Sequence, residues 1–202
     1  MQRNDLAVHE DIRLAKTLSK EFYTSDSYFE EAKHSIFEQS WQFVGHQPTL
    51  ESALNLVPVN LLEGYLDEPL LLSNQNGKWN CLSNICTHRG NVLVEKKCRQ
   101  SSIRCGYHGR TFGLDGSFKS MPQFDGVADF PSKCDDLPSL PLESLNGLLF
   151  TSLSPGFSFK SLADFVLKYV SWFPFADLTF HPKLSQKFEV KAHWALYCDN
   201  YL

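Results

Sequence analysis

The N-terminal part of the chain, residues 1–40, has the spacing of apolar positions that is typical of a helix. Asp26 or Ser27 is suited to cap the start of that helix. Apolar residues then recur close to every 3.6 positions on one side: Tyr28, Phe29, Ala32, Ile36 and Phe37. The pattern predicts an amphipathic helix that buries one face by packing.

Residues 41–155 show short apolar runs separated by turn signals, which is typical of β-strands. The predicted strands cover residues 56–62, 69–73, 78–83, 110–114, 117–120 and 148–153. Asn76-Gly77 is a strong signal for a two-residue hairpin, and Asp115-Gly116 predicts a second hairpin further along the chain.

The remaining residues, 156–202, change character. A helix is predicted over 159–173 and is ended by Pro174. A strand is predicted over 179–191, and a further helix begins at His193. The sequence therefore predicts three parts: 1–40, a helical segment; 41–155, a β domain; and 156–202, a linker helix with the start of another domain.

Composition narrows the class of protein. The 202 residues are 43% hydrophobic and 21% charged, which is ordinary for a globular chain. The net charge of −4 argues against a nucleic-acid partner. The N-terminal stretch lacks the apolar core of a signal peptide, and no apolar run approaches the roughly 20 residues that span a bilayer. We therefore expect a cytoplasmic protein with no membrane partner.

Two pairs of cysteine and histidine are the candidate chemistry. Cys86 and His88 are separated by one residue, and Cys105 and His108 by two. Two Cys and two His suit a Rieske [2Fe–2S] cluster, in which two His replace two Cys on one iron. They also suit a tetrahedral zinc ion, but zinc sites usually group the two Cys and the two His separately. The order Cys-His-Cys-His favours the cluster.

The neighbouring residues fit that interpretation. Cys86 and Cys105 would hold an inner iron as thiolates, while the histidines would hold an outer, more exposed iron. Both pairs would lie on hairpin-like loops at one end of a small β-sandwich. Arg89 and Arg110 follow the histidines and would offset negative charge, dock a partner, or simply lie solvated on the surface.

Four further cysteines remain, and we interpret them as structural thiols that a cytoplasmic setting keeps reduced. They are Cys81, Cys98, Cys134 and Cys198. Cys98 lies beside Lys96, Lys97 and Arg99, so it is the one expected to be exposed.

The segments CTHRG and CGYHGRTFGLDG resemble the Rieske domain of ring-hydroxylating oxygenase α subunits. The resemblance implies that the cluster ligands, and thus the metal site, are Cys86, His88, Cys105 and His108. Arg110 stands where most members of that family have Trp, which puts a packing contact common in the family in doubt.

Respiratory Rieske proteins resemble this chain less. They carry two additional cysteines that form a disulfide and a serine after the final glycine. Here those positions are Asn91, Tyr107 and Arg110. Both missing features would raise the reduction potential, so the sequence predicts a value near the low end of the Rieske range, about −150 mV.

The final segment, AHWALYCDNYL, resembles the opening of the oxygenase catalytic domain. In that family a mononuclear Fe(II), held by two His and a carboxylate, activates O₂. The chain carries none of those ligands, so no catalytic residue is assigned to it. The fold expected from the resemblance is mainly β: an antiparallel Rieske β-sandwich with an N-terminal helical segment and the truncated start of an α+β catalytic domain.

The resemblance implies electron transfer within an oxygenase α subunit. A reductase or ferredoxin would supply electrons, and His108 would be their exit toward a mononuclear iron that lies outside this chain. The full-length protein would oxidise a small organic substrate and would form a homotrimer. Two alternatives stay open: a stand-alone Rieske ferredoxin and a zinc-stabilised binding module.

Overall fold

The computed structural model describes residues 6–50 and 54–201. The fold consists mostly of antiparallel β-sheets with few helices, which confirms the predicted mainly β class. Among the described residues, 6–37 and 181–201 belong to one compact unit, and those between them belong to a second. No described helix combines the length and the apolar character needed to cross a membrane.

The second unit contains the β-structure. The described strands are, in chain order, β1 (Gln42–His46), β2 (Leu56–Leu61), β3 (Glu68–Gln75), β4 (Lys78–Ser83), β5 (Ile103–Arg104), β6 (Thr111–Phe112), β7 (Phe118–Ser120), β8 (Ser139–Leu140), β9 (Leu142–Leu145) and β10 (Leu148–Thr151). They form three sheets, ordered β1-β10-β9, β2-β3-β4-β8 and β5-β6-β7.

Both predicted hairpins are confirmed. β3 and β4 pair through Gln75 and Lys78, which leaves Asn76 and Gly77 as a two-residue turn. The φ angles of these turn residues are +55° and +88°, the left-handed values that a tight hairpin turn of this kind requires. The second hairpin joins β6 to β7 through the longer loop that contains Asp115-Gly116.

The four-stranded sheet is covered on both faces. Leu70, Leu71 and Leu72 are consecutive in β3, and all three are fully buried. Successive side chains of a strand point to opposite faces, so these leucines enter two different cores. Leu71 packs in the core that also contains Cys86 and Cys105, whereas its two neighbours pack in the other. The sheet therefore forms a rigid wall behind the two cysteines.

The described α-helices are α1 (Lys20–Thr24), α2 (Asp26–Ala32), α3 (Gln47–Leu50), α4 (Phe159–Val170) and α5 (Ala195–Tyr201). The predicted N-terminal helix is confirmed, with a π-helical turn after α2, but Ser25 occupies its cap position and makes no capping side-chain bond. In the first unit, the ring of Phe22 lies 5.4 Å from that of His193, and Phe37 lies 5.1 Å from Trp194.

The strand predicted over 179–191 is wrong. That segment is irregular apart from a short 3₁₀ turn at Pro182–Leu184. Phe188 and Val190 alternate with polar residues, but they are 78% and 57% exposed and so do not pack against a core. Proline also lacks the N–H that a sheet ladder needs. The predicted division into 1–40, 41–155 and 156–202 stays a prediction.

We expect Leu71→Ala to destabilise the second unit by about 2–5 kcal/mol, because it removes buried methyl groups and leaves a cavity. Val127→Ala, at a position 47% exposed in the same unit, is the control and should change stability by less than about 0.5 kcal/mol. Urea unfolding followed by circular dichroism measures both. Equal effects of the two changes would contradict the assignment of Leu71 to the core.

Candidate metal centre

Both predicted Cys/His pairs lie on short loops that are closed at their base by antiparallel pairing. The first Cys/His loop, residues 86–91, follows β4 and is flanked by the paired residues Ile85 and Val92. The second Cys/His loop, residues 105–110, joins β5 to β6 and is flanked by the paired residues Arg104 and Thr111. In each loop, therefore, the paired residues are the one before the cysteine and the sixth after it.

The first Cys/His loop is held by two backbone hydrogen bonds that begin and end at its cysteine. The N–H of Cys86 donates to the carbonyl of Asn91 at 2.8 Å, and the N–H of Gly90 donates to the carbonyl of Cys86 at 3.0 Å. Both the backbone N–H and the backbone carbonyl of Cys86 are therefore held within the loop.

The second Cys/His loop repeats this arrangement. The N–H of Cys105 donates to the carbonyl of Arg110 at 2.8 Å, and the N–H of Gly109 donates to the carbonyl of Cys105 at 3.1 Å. Gly90 and Gly109 occupy equivalent positions with φ of +67° and +75°, a conformation that favours glycine. The chain thus builds the same turn twice, although its histidines stand at different distances from their cysteines.

The thiols of Cys86 and Cys105 are buried in the same apolar core, and each residue is 3% exposed. Burial raises the pKa of the Cys86 thiol. Burial also acts to raise the pKa of Cys105, but the backbone N–H groups of Tyr107 and His108 donate to its sulfur and bring that pKa below its ordinary value. The loop thereby favours a thiolate, the form that binds metals.

The two imidazoles lie nearer the surface than the thiols. His88 is half-buried and His108 is exposed, and their ring centroids are 4.9 Å apart. The Tyr107 ring lies 3.7 Å from that of His108, and the Phe124 ring lies 6.0 Å from that of His88. Burial and the nearby positive charges of His108 and Arg89 lower the pKa of His88. This shift favours the neutral imidazole that metal binding requires.

The four side chains form an inner thiol pair and an outer imidazole pair. A tetrahedral zinc ion needs four donors around one centre, whereas a Rieske cluster takes one pair of donors on each of two irons. The donor set therefore fits the cluster better than zinc.

The interpretation of Arg110 as a solvated surface side chain is wrong. Arg110 is 3% exposed, whereas Arg89 is exposed. The Arg110 guanidinium forms an ion pair with Asp135 and donates to the hydroxyl of Thr87 at 3.0 Å. The sequence does not reveal either partner, because Asp135 is distant in the chain and Thr87 lies between two predicted ligands without a signal of its own.

The prediction that Cys98 is the exposed thiol is also wrong. Cys98 is half-buried, because its backbone N–H and carbonyl both hydrogen-bond to Leu56 of β2. The exposed thiols are those of Cys134 and Cys198. Cys81 is fully buried, and that burial raises the pKa of its thiol to about 11. The structure contains all six cysteines as free thiols.

The C-terminal segment that resembles the start of a catalytic domain lies largely in α5, as predicted. Asp199 and Asn200 are exposed there, and the hydroxyl of Tyr23 donates to the Asp199 carboxylate at 2.6 Å. The partner that the structure gives to Asp199 is therefore the Tyr23 hydroxyl.

Comparison with known proteins finds a family match over the region that contains both Cys/His loops. The Rieske [2Fe-2S] domain family matches residues 40–131, which contain both Cys/His loops. The carnitine monooxygenase oxygenase subunit of Acinetobacter baumannii is 28% identical over 212 residues, covering 98% of this chain and 53% of the relative. The chloroplastic choline monooxygenase of Amaranthus tricolor is 26% identical over 197 residues, covering 90% of this chain and 41% of the relative.

A solved structure gives the same result for the fold. The apo form of a quaternary ammonium Rieske monooxygenase superposes with a TM-score of 0.75 at 26% identity, covering 93% of this chain and 54% of that one. The chain spans about half the length of the curated relatives it matches. The chain is similar to the N-terminal portion of Rieske oxygenase α subunits, and the match of residues 40–131 to the Rieske domain implies a [2Fe–2S] cluster.

Proposed function

We propose that this chain performs the electron-transfer step of a Rieske oxygenase, with Cys86, His88, Cys105 and His108 as the ligands of its [2Fe–2S] cluster. The observation that carries the proposal is the pairing of two buried thiols with two outer imidazoles on loops of identical hydrogen bonding. When bound, such a cluster supplies reversible one-electron chemistry.

The buried and the outer residues of the two loops would bind different irons. Cys86 and Cys105 would bind the inner iron as thiolates, against the apolar core behind them. The N–H groups directed at the Cys105 sulfur stabilise its negative charge without adding another ionised group. Such outer-shell hydrogen bonds tune the potential of a metal site. His88 and His108 would hold the outer iron.

We propose that electrons leave through His108. Its imidazole is exposed, and Tyr107 beside it is 59% exposed. A partner protein can therefore contact this edge of the second Cys/His loop. His88 is more enclosed, by Phe124 on one side and His108 on the other. The electron donor would be a reductase or a ferredoxin.

We further propose that the longer protein to which this chain would belong is an oxygenase. Its mononuclear Fe(II), held by ligands outside this chain, would activate O₂ for oxidation of a small organic substrate. Because relatives are named for carnitine and choline, we propose a quaternary ammonium compound. A homotrimer and a cytoplasmic location belong to the same proposal, as does the use of residues 41–155 as the electron-transfer domain.

Substituting His108 by Ala should abolish the Rieske EPR signal of the reduced protein, because the outer iron would lose one of its two protein ligands. His181→Ala, at an exposed histidine outside both loops, should leave the signal unchanged. Iron content per chain is measured on the same samples. An unaltered signal in His108→Ala would remove this residue from the ligand set.

The cluster should titrate near −150 mV, at the low end of the Rieske range, because the chain lacks the disulfide and the serine that raise the potential in respiratory proteins. Redox titration followed by EPR measures this value. A strongly positive potential would contradict the assignment to the oxygenase class of Rieske centre.

A further inference from the structure

Arg110 occupies an unusual position for an arginine, because its charged group is enclosed beside the two loops. Its guanidinium pairs with the carboxylate of Asp135 and donates from Nη1 to the Thr87 hydroxyl at 3.0 Å. The rings of Phe118 and Phe130 lie 5.1 and 5.5 Å from its central carbon. Arginine is well suited to such a place, because its planar group stacks on aromatic rings and donates along several directions.

This burial is costly, and the cost indicates a role beyond stability. Two charges lose water when they are buried, and replacing such a pair by apolar residues is often neutral or stabilising. Among the described residues, moreover, the buried Nε of Arg110 has no hydrogen-bond acceptor. An aromatic side chain, which the resembling family usually has here, would fill the site without either cost.

The contacts of Arg110 join three segments of chain. Its own carbonyl closes the second Cys/His loop by accepting from Cys105. Its side chain reaches Thr87, which lies between Cys86 and His88 in the first loop. The Thr87 hydroxyl in turn donates to the backbone carbonyl of Asp135 at 2.8 Å. One side chain therefore sets the distance between the two loops, with the segment around Asp135 as the outer support.

Asp135 is itself held in place and ionised. The N–H of Ser132 donates to its carboxylate at 2.7 Å, and the Ser132 hydroxyl donates at 3.0 Å. The Ser132 N–H, followed by Arg110, lowers the pKa of Asp135. The lowered pKa keeps the carboxylate ionised at neutral pH, and its two hydrogen bonds from Ser132 do not depend on Arg110.

We propose that Arg110 is a positioning residue for the [2Fe–2S] cluster. With Thr87 and Asp135 it fixes the spacing of the two Cys/His loops, and its charge, balanced by Asp135, sets the electrostatic potential at the ligands. The inference rests on the proposed function. Reduction adds negative charge to a cluster, so a nearby cation favours the reduced state and a nearby anion opposes it.

Two charge-removing substitutions test this, because their effects have opposite signs. Arg110→Met leaves Asp135 unbalanced and should lower the reduction potential. Asp135→Asn leaves Arg110 unbalanced and should raise it. We expect each to change the reduction equilibrium several-fold, where tenfold corresponds to 59 mV for one electron. The double variant should return toward the wild-type potential. EPR-monitored titration of the cluster-loaded chain measures all three.

Two further variants separate position from charge. Arg110→Lys keeps the cation but loses the planar group, so it should hold the potential near wild type while broadening the EPR line and lowering iron retention. Arg89→Gln removes an exposed cation next to His88 and should shift the potential less than Arg110→Met, because solvent and salt screen surface charges.

The outcomes distinguish this inference from the proposed function. A wild-type chain without a Rieske EPR signal would overturn both. A wild-type signal with shifts of the same sign in Arg110→Met and Asp135→Asn, or shifts no larger than that of Arg89→Gln, would overturn the role of Arg110 alone. If Arg110→Met fails to fold, Asp135→Asn and Arg110→Lys still decide, because a rise in potential and an altered line width are expected from them.

Discussion

The hydrogen bonds that close residues 86–91 and 105–110 are the constraint on which the rest of the site depends. Each cysteine both donates to and accepts from its own loop, so its sulfur has little freedom to move away from the other. The four-stranded sheet behind them contributes to the core in which Cys86 and Cys105 are buried. The imidazoles of His88 and His108 therefore lie on the outer side of the loops. As a result, the thiols are buried and the imidazoles lie nearer the surface.

The sequence allowed the strands, the hairpins and the four Cys and His positions to be predicted, because each depends on local signals. Asn76-Gly77 specifies its turn through the left-handed backbone that both residues adopt. The strand wrongly expected over 179–191 had the right alternation, but alternation does not reveal whether a partner strand exists. Pairing is a property of the fold, and the described residues provide no partner there.

The site was only partly predictable for a related reason. Spacing located the candidate ligands but did not show that the two loops are equivalent, because His88 is two residues after its cysteine and His108 is three. The burial of Arg110 was also hidden, since it depends on Asp135, which is 25 residues away in the chain. Charged neighbours in the sequence suggested an exposed Cys98, whereas its backbone pairing with Leu56 leaves it half-buried.

The equivalence of the two loops has a consequence for how such a centre can change over evolution. None of the hydrogen bonds that close either loop uses a histidine side chain. The scaffold is therefore independent of the identity of the outer ligand and of which of two adjacent positions supplies it. A frame of this kind permits ligand exchange, for example of imidazole for thiolate, without refolding. In this chain, a change of the outer ligand would therefore leave the hydrogen bonds that close each loop in place.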